Sequence, residues 1–389
     1  MRGNLALSFR IARSASELEA LTELWKELLL RSEANEPTLT PEWMTAWWRV
    51  HGGTGGRTLR VVLFFREGRL VGLVPLLWRI KWYRPGVPFR RLELLASGER
   101  EADETCSDYI GIIAERGFEE EIAVSLADLL MRGDAGAWDE LVLTGMNGEH
   151  GSAEMLAREL DARGASAEIV PRGVAPYIPL PRTWSNYLAA LTGSHRYYVN
   201  RSLRDFEAWA KGKARLVQAT TQGELELGER ILRGLHSQRW EGCGKPGMFV
   251  SPRFRAFHAT VLPELLRQQA LDLSWISVEQ RPIAVLYNMR WNGKVYFYQA
   301  GRSLVLPKDV RPGIVLHCHA IKRAIERGDR EYDFLAGASR YKMQLANATR
   351  PLVALRAVRT PALEAVRKAA EQGGQVIRGW AGAARARIL

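Results

Sequence analysis

Cysteine is almost missing from this chain: Cys106, Cys243 and Cys318 are the whole complement of 389 residues. They lie far apart with no C-x-x-C pair, which excludes a zinc knuckle and a disulfide framework and fits a reducing compartment. Long apolar runs are missing too. No stretch reaches the ~18 uncharged apolar residues of a spanning helix, and the opening MRGNLALSFRIARS has too short an apolar run for a signal peptide. The expectation is a cytoplasmic protein, at most peripheral to the inner membrane. Acid is scarce relative to base: 43 Asp and Glu stand against 55 Lys and Arg, a formal charge of +12. Such a balance suits polyanionic ligands, nucleic acid or an anionic membrane without choosing among them.

What is present is globular material, 47% hydrophobic and 25% charged, and its length points to two domains. Helices are expected at residues 16–30 (capped by Ser16), after Thr40 with Pro41 in the first position, and at 118–131 and 153–163. Strands are expected at 58–66 and 70–80 around Glu67-Gly68-Arg69, then at 92–96, 109–113 and 140–144. Residues 167–180 read as extended structure interrupted by Pro171, Pro176 and Pro179, a crossing into a second unit. There the helices are 184–191, 198–211, 223–240 and 252–269, followed by strands 271–278, 283–291 and 294–300. The pattern is α/β (α+β) and looks like a duplication: residues 1–175, residues 176–360, and a basic amphipathic tail at 361–389.

Residues 295–327, VYFYQAGRSLVLPKDVRPGIVLHCHAIKRAIER, read as strand, basic loop and helix start. First-turn N–H groups lack intrahelical partners and the helix dipole favours negative charge, so Arg311 and Lys308 beside Pro312-Gly313 mark an anion site; a solvated basic loop is the alternative. On the helix, Ile314, Cys318, Ile321 and Ile325 form the core stripe, which makes Cys318 a small hydrophobe rather than a nucleophile. His317 falls at the stripe's edge and His319 toward the outer face. His317 is therefore the better acid or base candidate, unless it is a half-buried ring bonded to a backbone carbonyl.

The pieces PTLTPEWMTAWWRVHGG, GLVPLLWR, CSDYIGII, HSQRWEGCG, RPGIVLHCHAIKRAIERG and YDFLAGASRYKMQLAN, in that order, resemble the CelD-like branch of the GNAT N-acyltransferase superfamily, related to the FemAB transferases. The resemblance implies two tandem GNAT-type folds, each a mixed, mainly antiparallel sheet flanked by helices, with the first a degenerate copy. It implies acyl-coenzyme A as co-substrate, no metal, and an amine acceptor, with polysaccharides, cell-wall precursors and the sphingoid bases of bacterial ceramide synthases among the family's range. Moving an acyl group from sulfur to nitrogen needs a neutral amine, donors for the developing oxyanion and a place for the thiolate to leave. Gln299, Ala300 and Gly301 are expected to turn N–H groups toward the thioester, and Gly313, Ile314 and Val315 to hold pyrophosphate beside Arg311 and Lys308. Tyr298 on the same strand joins His317, Asp333 and Tyr341 as catalytic candidates. Asp333 would orient His317, accept the amine proton, or merely cap the next turn; Tyr341 would return a proton to the thiolate. Lys342, Arg196, Arg239 and Trp240 are assigned to the acceptor, although the row Arg196, Asn200, Arg204 also suits a solvated face and Arg239 a buried ion pair.

Residues 75–91 mix Trp78, Trp82, Tyr83 and Phe89 with five basic residues and no acid, a composition suited to an anionic bilayer surface or to a packed hairpin. The tail adds Val366, Ile377, Trp380 and Ile388 among basic residues. A FemAB-type aminoacyl transferase and a non-catalytic nucleic-acid or membrane module are the alternative readings; no stable nucleic-acid partner is expected.

Overall fold

A computed structural model describes residues 7–84, 86–242, 244 and 247–369. Cys243 and the tail from residue 370 onward, with Ile377, Trp380 and Ile388, lie outside the described residues. Two compact units divide the chain: residues 1–98, 109–172 and 353–389 in the first, residues 99–108 and 173–352 in the second.

The first unit opens with β1 (Ser8–Ala12), α1 (Ala15–Ala20), α2 (Thr22–Arg31) and α3 (Pro41–His51). Ser14 rather than Ser16 caps α1, through a capping box with Glu17, and the expected single helix breaks at Leu21. Thr40 accepts the N–H of Trp43 and Pro41 occupies the first turn, so α3 starts where the sequence places it. Trp25, Trp43 and Trp47 from these helices are buried. β2 (Thr58–Arg66) and β3 (Arg69–Arg84) are joined by Glu67 and Gly68 at φ 51° and 80°, the left-handed pair that a two-residue hairpin needs. β4 (Val87–Leu94), β5 (Ile113–Ala114), α4 (Glu119–Arg132), β6 (Glu140–Asn147) and α5 (Ser152–Asp161) complete the unit. β1 to β4 form an antiparallel meander, and α4 carries the chain over to β6, parallel to β4.

β7 (Ser166–Pro179) leads onward as one strand. Its prolines lack N–H groups but keep their carbonyls, and Pro176 accepts from Phe334 at 2.9 Å. The second unit contains α6 (Trp184–Ala190), α7 (Gly193–Ala210), β8 (Ala214–Gln218), α8 (Gln222–Glu241), α9 (Pro252–Arg267) and β9 (Leu271–Val278). Then follow β10 (Arg281–Trp291), β11 (Lys294–Arg302), α10 (Pro312–Arg327), β12 (Glu331–Asp333), α11 (Arg340–Leu345) and β13 (Ala348–Val358). The topology repeats: β8 to β11 form an antiparallel meander, and α10 carries the chain to β12, parallel to β11. Even the register corresponds, with Arg91↔Glu140 in one unit and Lys294↔Glu331 in the other. Ile314, Cys318, Ile321 and Ile325 of α10 enter the second unit's core as their spacing predicts.

Residues 75–84 and 87–91 belong to β3 and β4, where three of the five basic side chains are paired while Trp82 and Ile80 stay 57% and 43% exposed. Arg79 pairs with Glu93, Arg90 with Asp139, and Arg91 with Glu93 and Glu140, while the Trp78 indole donates to the Ala137 carbonyl. Among the described residues no helix is long and apolar enough to cross a membrane.

Candidate active site

β11 and β12 run together for only three residue pairs, ending at Tyr296↔Asp333. β11 then continues to Arg302, whereas the chain after Asp333 turns through Leu335 and Gly337 at φ 55° and 98°. The parallel ladder therefore opens into a wedge along one side of β11. On the other side the register with β10 slips at Tyr287/Asn288, making Tyr298 an extra residue on β11. Tyr298, expected at the chemistry, is buried: its hydroxyl donates to the Thr105 carbonyl at 2.6 Å and lies 3.1 Å from His258 Nε2. It secures the bulged strand and does not line the cavity.

A cavity of about 350 Å³ occupies the wedge. Ala300 and Gly301 of β11 form one wall, and Gly313, Ile314 and His317 of α10 another; Tyr341 of α11 also contributes. Gly301 is required by close approach: a Cβ there would stand 2.7 Å from the His236 backbone nitrogen of α8. The lining includes Arg239, Arg302, Lys308 and Arg311 and no carboxylate. Arg311 lies over the Tyr198 ring, 5.5 Å from its centroid, and is 3.8 Å from the carboxylates of Asp205 and Asp309. Such a lining attracts an anion that can compete with those long ion pairs.

The helix start is narrower than expected. The N–H groups of Ile314 and Val315 both reach the Arg311 carbonyl, at 3.1 and 3.2 Å. Val315 is buried and its N–H is committed to the helix, so it is removed from the anion site. Arg196 is exposed on α7 and lines no part of the cavity, as the solvated-face reading anticipates. Trp240 also lies outside the lining: its indole donates to His236 Nε2 at 2.9 Å, and the Gln299 side chain bonds the same histidine. Arg239 alone of that group reaches the cavity.

His317 is buried, with Nδ1 3.0 Å from the Tyr332 hydroxyl and its ring against Phe297 and Tyr341. Burial, reinforced by the nearby charges of Lys342 and Arg239, lowers its pKa to about 3, so the imidazole is neutral. Tyr332 rather than Asp333 is the hydroxyl partner that orients this ring. Asp333 accepts the Leu335 N–H at 2.6 Å and pairs with Arg350 at 2.7 Å, which is the turn-capping arrangement. Burial keeps the Tyr341 phenol above its usual pKa and hence protonated. Lys342 donates to the carbonyls of Phe334 and Ala336, each at 2.7 Å, and burial lowers its pKa to about 8 against the opposing pull of Asp108 and Asp333.

Sequence reasoning did not single out Tyr198, Arg302, Arg350 or Asp108. The Asp108 carboxylate accepts the Ala336 N–H at 2.8 Å, and burial raises its pKa to about 6. Its partner stands 228 positions away, beyond any local pattern. Arg302 was accessible as the basic residue ending the strand after Gly301. Among the described residues no cluster of three or more His, Cys, Asp or Glu side chains is placed to hold a metal.

Residues 193–343 match the acetyltransferase (GNAT) domain family, a span that includes every residue lining the cavity. No curated protein matches the chain in sequence. Among solved structures, FemX aligns with a TM-score of 0.61 at 10% identity, over 92% of this chain and 100% of FemX. The C-terminal domain of a putative lysylphosphatidylglycerol synthetase from Agrobacterium fabrum aligns at 0.51 and 10% identity, over 91% and 94% of the two chains. A conserved protein of unknown function from Bacteroides thetaiotaomicron aligns at 0.52 and 12%, over 90% and 99%. At such identities the structural likeness speaks to the fold, while the domain match speaks to the chemistry. The chain is an acyltransferase that carries a GNAT domain over residues 193–343, within a fold shared with FemX.

Proposed function

We propose that this protein transfers an acyl group from acyl-coenzyme A to a primary amine on a membrane-lipid precursor such as a sphingoid base, at the cytoplasmic side of the membrane. One observation carries the donor assignment: the cavity in the β11–β12 wedge has four cationic side chains, Arg239, Arg302, Lys308 and Arg311, and no carboxylate in its lining. Its volume lies within the range of small-molecule sites. Lys308, Arg311 and the first-turn N–H of Gly313 would hold the pyrophosphate, and the thioester is the activated acyl group this ligand brings.

The remaining steps belong to the protein. Of the backbone N–H groups at Ala300 and Gly301, the one that points away from β10, toward the side β12 has left, is suited to receive the carbonyl oxygen as it becomes negative. The amine nitrogen bonds to the acyl carbon and the carbon–sulfur bond breaks. The nitrogen loses one proton and the thiolate gains one, so amide and free thiol are the products. Tyr341, protonated at neutral pH, is the donor to sulfur. His317 is too weak a base to strip an ammonium ion, so its neutral ring serves as a hydrogen-bonding wall, and Lys342, with its pKa lowered to about 8, is the better proton acceptor. We assign catalysis to residues 176–360 and regard residues 1–175 as a degenerate copy. Glu119, Glu120 and Glu121 in the first turn of α4 support this, because they would repel an anion where α10 has no acid.

An aminoacyl donor carried by tRNA is the second reading, favoured by the fold shared with FemX. Thiol release measured across acyl-CoA chain lengths, with sphingoid, sugar and peptide amines, separates the two. Release with a sphingoid amine is expected; silence with every acyl-CoA overturns the donor assignment.

A further inference from the structure

The loop between β11 and α10, which gives Arg302 and Lys308 to the cavity lining, also exposes aliphatic side chains. Val305 is 74% exposed and Leu304 43%. They are presented by an ordered turn: the Val305 N–H donates to Ser303 Oγ at 3.3 Å and the Val310 N–H to the Pro307 carbonyl at 3.0 Å, while Leu306 packs on the core. Exposed Arg302 and Lys308 flank the pair, and both also line the cavity. Asp309, in the same loop, faces Arg201 at 3.3 Å and Arg311 at 3.8 Å, so its charge is offset.

We propose that the Leu304-Val305 tip, with Arg302 and Lys308, docks on an anionic phospholipid bilayer and sets the cavity mouth at the lipid surface. Two aliphatic side chains on one short turn offer far less area than a stable protein interface buries. They suit a fluid apolar phase that needs no complementary shape, and flanking cations suit the phosphate layer above it. The acceptor would then reach the site from the leaflet, headgroup first. Docking is independent of the proposed function; only this delivery route rests on its lipid acceptor.

Flotation with phosphatidylglycerol-containing vesicles and with pure phosphatidylcholine vesicles tests the proposal. The protein should bind the anionic vesicles, less so as salt rises, and Leu304→Ser/Val305→Ser should weaken binding about tenfold. Thiol release with a water-soluble amine should be unchanged in that variant, which separates loss of docking from loss of activity. Failure of the unaltered protein to float, or full flotation of the variant, would overturn the proposal. So would concentration-dependent dimerisation that the variant abolishes in the absence of vesicle binding, since the tip would then meet a second copy of the chain.

Discussion

Lys342 holds its ammonium between two backbone carbonyls in a setting that favours the neutral amine more than water does. With its pKa lowered to about 8, the fraction able to accept a proton rises as pH passes upward through that value. Turnover with a soluble amine should climb along the same limb, and Lys342→Met should remove the limb as well as lower kcat; a profile of unchanged shape would assign Lys342 to structure alone. Arg311 calls for a different signature. A phosphate contact made equally in ground and transition states affects binding rather than chemistry, so Arg311→Ala should raise KM for acyl-CoA roughly tenfold with little change in kcat. An unaltered KM would move the pyrophosphate to Arg302 and Arg239.

Strand β11 meets both neighbours irregularly, bulged against β10 and released from β12 after three pairs, and the cavity is the result. Gly301 keeps that strand end against α8, where a Cβ would press on the helix backbone. Gly301→Ala should therefore displace the strand end and lower kcat, with a modest fall in Tm and little change in far-UV circular dichroism; wild-type kcat would exclude this close approach as a positioning device. Much of this element was legible beforehand. The Thr40 cap, the Glu67-Gly68 turn, the Pro312 start and the four-residue stripe of α10 each follow from rules that act within a few residues. β8 escaped because its five residues, ARLVQ, are exposed or only partly buried and carry no clear alternation. The bulge at Tyr298 escaped because register is a property of two strands, and the wedge because it depends on where β12 stops. For the same reason nine of the expected site residues line the cavity, while Tyr298, Gln299, Trp240 and Asp333 prove to be tied to partners that only the fold supplies.

At the scale of the whole molecule, duplication of the topology does not mean duplication of the site. Calorimetric titration with acyl-CoA should give one site per chain, because the acidic start of α4 replaces the cationic approach to α10; two equivalent sites would contradict the degenerate-copy reading. Acid should also weaken the fold. Burial lowers the pKa of His258 and His317 to about 3 and of His236 to about 4, against an ordinary value of 6.5. Below 6.5 the unfolded chain takes up protons that these native rings refuse, so stability present above that pH is lost as pH falls toward 4, at up to about 1.4 kcal/mol per pH unit for each ring. Asp108, whose pKa is raised to about 6, acts in the opposite sense. Denaturant titrations should show this slope, and His258→Gln should flatten it; a slope unchanged in that variant would remove His258 from the balance. Residues 99–108, finally, are encoded within the first unit's sequence yet belong to the second, where Thr105 receives the Tyr298 hydroxyl and Asp108 holds the Ala336 N–H. A chain shortened to residues 176–360 would lose those two supports. The second unit is thus completed by residues 99–108, and a chain beginning at residue 176 would lack them.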